Sequence, residues 1–507
     1  MRDFDTIIIG AGHNGLVCAT QLAKAGQRVL VLEAQSEAGG LARAREFYPG
    51  FKAPVAPAAH HFSPTVARAL GLEQHGLTLA PAAPFSALAG DGTAPRIVRG
   101  ESLSGASAAD SAAWPEFRAQ LQRFADALEP SWHKTMPRIA KGPVKSLLPL
   151  GQVGLRLRRL GKEDMREFLR VFSLPMRDLV DEHFEDEALK ALLAWDGLIG
   201  SRMAPRSPNN AVLMMLYRMA SQSFCAGASL MTALGQAASA AGVTLETNAP
   251  VASILVAGDS DGQRAAGVRL ASGEEISAAR VVSSADPQTT FVKLLGVQHL
   301  EIGFSNRIGR LRCNGLVAKL NIALDGAPNF DGLESASGRL LFAPSLDAIE
   351  FAFDASKYGE YSEHPVLEAS VPSLETPDLA PAGKHVLSAH VMFAPHALRA
   401  GWDEAAKADL AERALAVMER SAPGLREQML GHELLSPVDL EQHYGVTGGH
   451  WHHTEFALDQ ALMMRPTYEA AQYESPVAGL WLCGAGCHPA GDLTGMAGYN
   501  AAQEVLA

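Results

Sequence analysis

Two glycine-rich strand–turn–helix units, one at each end of the chain, and a run of short strands between residues 243 and 287 predict an α/β protein whose Rossmann-type domain is discontinuous. The stretches between them mix long helical periodicity with strand-like runs, which predicts a second domain of mixed α+β build.

The first unit opens on Thr6–Ile7–Ile8–Ile9, an apolar run of strand length that stops at Gly10. Gly10, Gly12 and Gly15 follow in G-x-G-x-x-G spacing, and Leu16 to Gly26 reads as a helix. In such a unit Gly10 makes the tight turn, Gly12 lets a pyrophosphate approach the backbone and Gly15 lets helix and strand pack closely. The helix N-terminus adds free N–H donors and a positive dipole end. Arg28 to Leu32 is a second strand closed by Glu33, whose carboxylate can accept both hydroxyls of an adenosine ribose and argues against a 2′-phosphate. Glycine spacing alone is a weak signal in a chain with 47 glycines; the flanking strand, helix, second strand and acid make it a dinucleotide site. Gly39 and Gly40, with Arg43 beyond them, follow the second strand and let the chain run under a cofactor longer than a nicotinamide nucleotide. Together these residues predict FAD.

A chain of 507 residues exceeds one ordinary core. Its formal net charge of −12 argues against nucleic-acid binding, which needs a basic surface. Cys18, Cys225, Cys313, Cys483 and Cys487 form no C-x-x-C pair, so a reduced, cytoplasmic protein is expected. No secretion signal is read, and no apolar run reaches the length of a spanning helix.

In chain order, residues 1–80 read as the first FAD-binding segment, with His60–His61 in a polar loop beside the cofactor. Residues 81–220 read as mainly helical, with periodic stretches at Glu116 to Leu128 and Met165 to Val180. Between Ser131 and Arg170 ten Lys or Arg stand against three Asp or Glu, interleaved with leucines. Residues 141–170 therefore suit peripheral contact with an anionic membrane, and equally a solvated face of an amphipathic helix. Residues 221–290 return to the nucleotide domain: a helix from Leu230 to Ala241, strands at Val243 to Thr247 and Pro250 to Val256, with Val251 along the adenine edge, then a hairpin and a return strand to Ala285. Residues 291–440 read as the sheet and helices of a substrate domain. Its strand candidates are Arg339 to Phe342, Ile349 to Phe353, Val366 to Val371 and Lys384 to Phe393, and Asp403 to Arg420 is a helix. Residues 441–507 close the FAD domain, with the strand Leu480 to Cys483, a turn carrying Gly484 and Gly486, and a helix from Thr494 to Leu506. That helix, starting near Gly495, would aim its positive end at the flavin N1–C2 edge.

These stretches resemble the phytoene desaturase family of FAD-dependent oxidoreductases, and more closely its pyridine nucleotide-disulfide oxidoreductase domain 2-like branch. The resemblance is carried by Gly10 to Gly15, Glu33 with Gly39–Gly40, Pro49–Gly50–Phe51–Lys52, Val281 to Pro287, the segment from Pro372 to Leu387, Leu458 to Pro466, Gly484 to Pro489 and Gly498 to Ala502. It implies an amine-oxidase-like fold and hydride transfer between a hydrophobic substrate and flavin N5. Two departures bear on the reaction. Ala490–Gly491–Asp492 stands where the family usually has three glycines, and Ala226–Gly227–Ala228–Ser229 replaces the usual Gly-Gly-Met-Gly.

Base candidates are His488, Asp492 and His453, since a histidine near its ordinary value exchanges protons at neutral pH. His450, His452, His453 and Glu455 could form a metal set on a strand, but the region already matches a flavin-family segment, which argues against a metal. Four readings stay open: a desaturase or dehydrogenase of a hydrophobic isoprenoid or polyene, a saturase or redox-neutral isomerase, an amine oxidase, and a flavin-bound partner protein without catalysis. A homodimer is compatible with a chain of this size.

Overall fold

The computed structural model describes residues 3–138, 147–208, 210–258 and 262–507. Two sheets organise it. In the first, the strands run in the order Thr244–Glu246, Val29–Leu32, Asp3–Ile9, Glu275–Ser283, Arg264–Leu270 and Val251–Ala257, and Leu480–Leu482 joins along Glu275–Ser283. Its centre is parallel and its far edge an antiparallel hairpin. Strands this apolar are buried on both faces, as parallel strands covered by helices are. The covering helices are His13–Lys24, Gly227–Ala240 and Met496–Leu506.

The second sheet runs Met429–Leu435, Val317–Leu324, His385–Met392, Leu367–Ser370, Arg339–Phe342, Phe85–Ala87, Arg96–Arg99 and Ser102–Ser104. Three of its strands come from the stretch that the sequence assigns to helices. They are only three or four residues long in an Ala-, Pro- and Gly-rich segment, too short for periodicity to reveal. Helices Ala108–Trp132, Glu187–Leu198 and Ala211–Met219 pack together over this sheet.

Two local expectations are corrected. Ile349 to Phe353 lies within the helix Leu346–Lys357, whose N-cap Ser345 accepts from the Ala348 N–H and whose buried Leu346, Ile349, Phe353 and Ser356 follow helical spacing. The expected helix from Met165 to Val180 is two helices, Lys162–Val171 and Met176–Asp181, because Pro175 carries no N–H and disfavours helical backbone at Leu174.

Part of the basic stretch, residues 139–146, lies outside the described residues. Beyond it, Leu148–Arg159 is a surface helix with no buried residue. Among the described residues no helix is long and apolar enough to cross a membrane.

At Gly15 an added Cβ would stand 2.2 Å from the Gly10 carbonyl oxygen. Gly15→Ala should therefore lower the unfolding free energy by about 1–3 kcal/mol, read as a lower midpoint in thermal or urea unfolding. An unchanged midpoint would contradict this packing.

Candidate active site

Between the two sheets lies a cavity of ≈380 Å³. The turn after the first strand forms one end: Gly10, Gly12, His13 and Gly15 line it, and nothing stands within 4 Å of a Cβ built on Gly12. Gly10, at φ +92°, takes the turn that an L side chain rarely adopts. Glu33 also lines the cavity, its carboxylate accepting the Ala11 N–H at 2.7 Å and the Gln35 N–H at 2.9 Å. Gly40, Arg43, Val251, Gly484, His453 and Asp492 complete the expected residues found in the wall.

Four others are not among its lining residues. Gly39 donates its N–H to the Ala11 carbonyl at 3.0 Å and so braces the glycine turn from behind. Gly486 packs on Pro287, and Gly495 caps the last helix against Phe62 and Val66. His488 is fully buried, donates Nε2–H to the Ser131 carbonyl at 2.7 Å and stacks on Trp132. The base assignment for His488 is corrected: it ties the helix end Ser131–Trp132 to the C-terminal turn.

Asp492 reaches the cavity but is committed. Arg218, itself buried, donates Nε to one carboxylate oxygen at 2.8 Å and Nη2 to the other at 3.2 Å, and His452 Nε2 lies 3.5 Å away. Although burial raises a carboxyl, Arg218 and the neighbouring histidines outweigh it and hold Asp492 far below its ordinary value. A carboxylate so held is an anchored anion and a poor base, which corrects that role too. His453 keeps its place in the wall, with Nδ1 unpartnered.

The histidines of the cavity wall lie below their ordinary value. Burial pulls His13, His61 and His452 down to about 4, His60 and His390 well below 6.5, and His453 in the same direction. All are neutral imidazoles at pH 7. His452 stands in a turn and His450 in the irregular chain just before it, neither on a strand, and Glu455 pairs with Arg312 at 2.8 Å.

Four of the histidine nitrogens in this wall have no hydrogen-bond partner: His13 Nε2 and Nδ1 of His61, His452 and His453. Buried nitrogens of this kind cost free energy unless something pairs with them. Together with the open helix N-terminus they fit a large polar nucleotide.

The wall nearest the second sheet was not legible from motifs. Arg339 donates Nη2 to Asp196 at 2.6 Å and Nε to Glu368 at 2.8 Å, and Glu368 accepts Trp195 Nε1–H at 2.7 Å. His390 donates Nε2–H to the Val55 carbonyl at 2.7 Å, and Lys319 Nζ lies 3.2 Å from the same nitrogen. Lys319 is fully buried, and burial brings it down to about 7 even though Glu368 pulls the other way. The available signal was a lone cation inside an apolar strand: Lys319 in Val317–Leu324 and Arg339 before Leu340–Leu341–Phe342.

The family described as flavin containing amine oxidoreductase matches residues 15–506. The chain belongs to that family. It is 33% identical to pyridine nucleotide-disulfide oxidoreductase domain-containing protein 2 of Rattus norvegicus, over 99% of this chain and 93% of that protein. It is 26% identical to a lycopene-forming phytoene desaturase of Pseudescherichia vulneris, over 97% and 96%. The fold is that of wild-type putrescine oxidase bound to putrescine, with a TM-score of 0.58 at 17% identity, covering 99% of this chain and 98% of that one. The family membership bears out the resemblance read from the motifs, and the cofactor is FAD.

Lys319 also ties stability to pH. Between about pH 7 and the ordinary 10.5 the unfolded chain holds this proton and the native chain does not. The Lys319 contribution therefore rises with pH across that window and is smallest below it. In Lys319→Met, unfolding free energy should climb less with pH over that range than in the wild type, and equal slopes would contradict the buried lysine.

Proposed function

We propose that this FAD-dependent oxidoreductase moves a hydride and a proton at adjacent carbons of an apolar substrate, forming or reducing a C=C bond. One observation carries the reading. A second cavity of ≈110 Å³ adjoins the first across His60, His61, Asp196 and Arg339, which line both. Its wall is largely apolar, with Phe85, Trp114, Phe117, Leu121, Leu192 and Met215. An apolar body held there would reach the first cavity at the polar rim.

In this reading Gly10, Gly12, Gly15, Glu33, Gly40, Arg43, Val251 and Gly484 hold FAD. The bound cofactor supplies two-electron chemistry that no side chain of the chain provides. The apolar wall orients the substrate and keeps water out. With a value of about 7, Lys319 Nζ takes or gives up a proton at neutral pH, and His390 is the cavity-lining group beside it.

A second reading, amine oxidation, is favoured by one feature. Asp196 and Glu368 share the single guanidinium of Arg339, and the net negative charge attracts a cationic amine. Anaerobic titration of the purified protein with isoprenoids, polyenes and amines separates the two. Bleaching of the flavin band by an isoprenoid or polyene is expected; bleaching by amines alone would replace the first reading with the second.

The surface helix Leu148–Arg159 supports peripheral contact with an anionic membrane. Leu148 and Leu155 are 62% and 49% exposed on a helix that ends in Arg156, Arg158 and Arg159. The protein should co-sediment with phosphatidylserine vesicles, and Leu148→Glu with Leu155→Glu should weaken this at least several-fold. Equal sedimentation of both proteins would make the helix an ordinary solvated face.

A further inference from the structure

The second cavity reaches solvent at Arg118 and Gln222, the first half-buried and the second exposed. Arg118 is on the same helix as Trp114, Phe117 and Leu121, so one helical face carries both the apolar wall and the cation at its end. Its guanidinium is held by neutral groups: Nη1 donates to Gln122 Oε1 at 2.7 Å and Nη2 to Gln222 Oε1 at 2.8 Å. Among the described residues no carboxylate lies within ion-pair distance of it. Glu101 and Asp126 act from farther off, and Asp126 already accepts from the Gln122 amide at 2.7 Å.

The amide oxygens orient the guanidinium, and among the described residues no ion pair neutralises it directly. A planar guanidinium in such a setting matches a carboxylate, which can bring two oxygens and a full charge. We infer that the second cavity takes the apolar chain of an amphipathic substrate whose terminal carboxylate is held by Arg118 at the mouth. The chain then runs inward to His60, His61, Asp196 and Arg339, where the two cavities meet. For the inner end this rests on the catalytic reading above; for the outer end it rests on Arg118 alone. It narrows the substrate from an apolar compound to a long-chain carboxylic acid.

Calorimetric titration of the holoenzyme with decanoate and with decanol tests it. Decanoate should bind about tenfold or more tightly than decanol, as a charge-assisted bidentate pair implies. Arg118→Gln should abolish that difference without changing the affinity for decanol, and Arg118→Lys, which keeps the charge, should retain part of it. Equal binding of the two compounds by the wild type, or an undiminished preference in Arg118→Gln, would overturn the inference. Arg118-dependent binding in a protein whose flavin no compound bleaches would uphold the anion site and sink the catalytic reading. Bleaching by polyenes with no Arg118-dependent preference would do the reverse.

Discussion

The turn after Ile9 is the constraint on which the rest of the molecule depends, because three distant parts of the chain must meet there. Ser284 donates its hydroxyl to the carbonyls of Ile9 at 2.8 Å and Gly10 at 3.1 Å, fixing the end of the return strand against the turn. The Cys483 N–H donates to Ser283, so the C-terminal strand is laid beside it. The Gly498 N–H donates to Asn14 Oδ1, 484 residues away in sequence, and Gly498 has no room for a side chain against the Asn14 backbone. Closing such long loops costs conformational entropy that only buried, well-packed contacts offset. The buried first strand and the helices over it provide those contacts.

Once the turn is placed, the second sheet and its helices decide what stands opposite it. They bring cations and carboxylates into a buried wall, where an unpaired charge is costly. The wall resolves this by pairing: Arg218 with Asp492, and Arg339 with both Asp196 and Glu368. Among the described residues Lys319 makes no such ion pair, and burial brings it down to about 7. Burial is thus the largest pull toward the neutral form for the wall histidines and for Lys319 alike, and it leaves Lys319, at about 7, able to titrate near neutral pH.

The glycine turn, Glu33 and the C-terminal strand were legible in the sequence because local geometry dictates residue type there: a turn needs Gly10, a close approach needs Gly15, a covered parallel strand needs an apolar run. Bases could not be chosen that way. His488 and Asp492 sit in the right loop, yet whether a side chain meets the cavity or a backbone carbonyl depends on Ser131 and Arg218, which arrive from another part of the chain. The same holds for Phe85–Ala87 and its neighbours, strands defined by their pairing more than by their composition. At Pro175 the sequence does carry a local signal, the proline that separates Lys162–Val171 from Met176–Asp181.

The central claim is that a chain-like apolar molecule passes from the second cavity into the first across His60, His61, Asp196 and Arg339. A crystal structure of the holoenzyme soaked with a linear polyene tests it most directly. The account predicts continuous ligand density from beside Trp114 and Phe117, through that rim, into the cavity at His390. Density confined to the protein surface, or a rim closed by the Asp196–Arg339 pair with ligand on one side only, would contradict it.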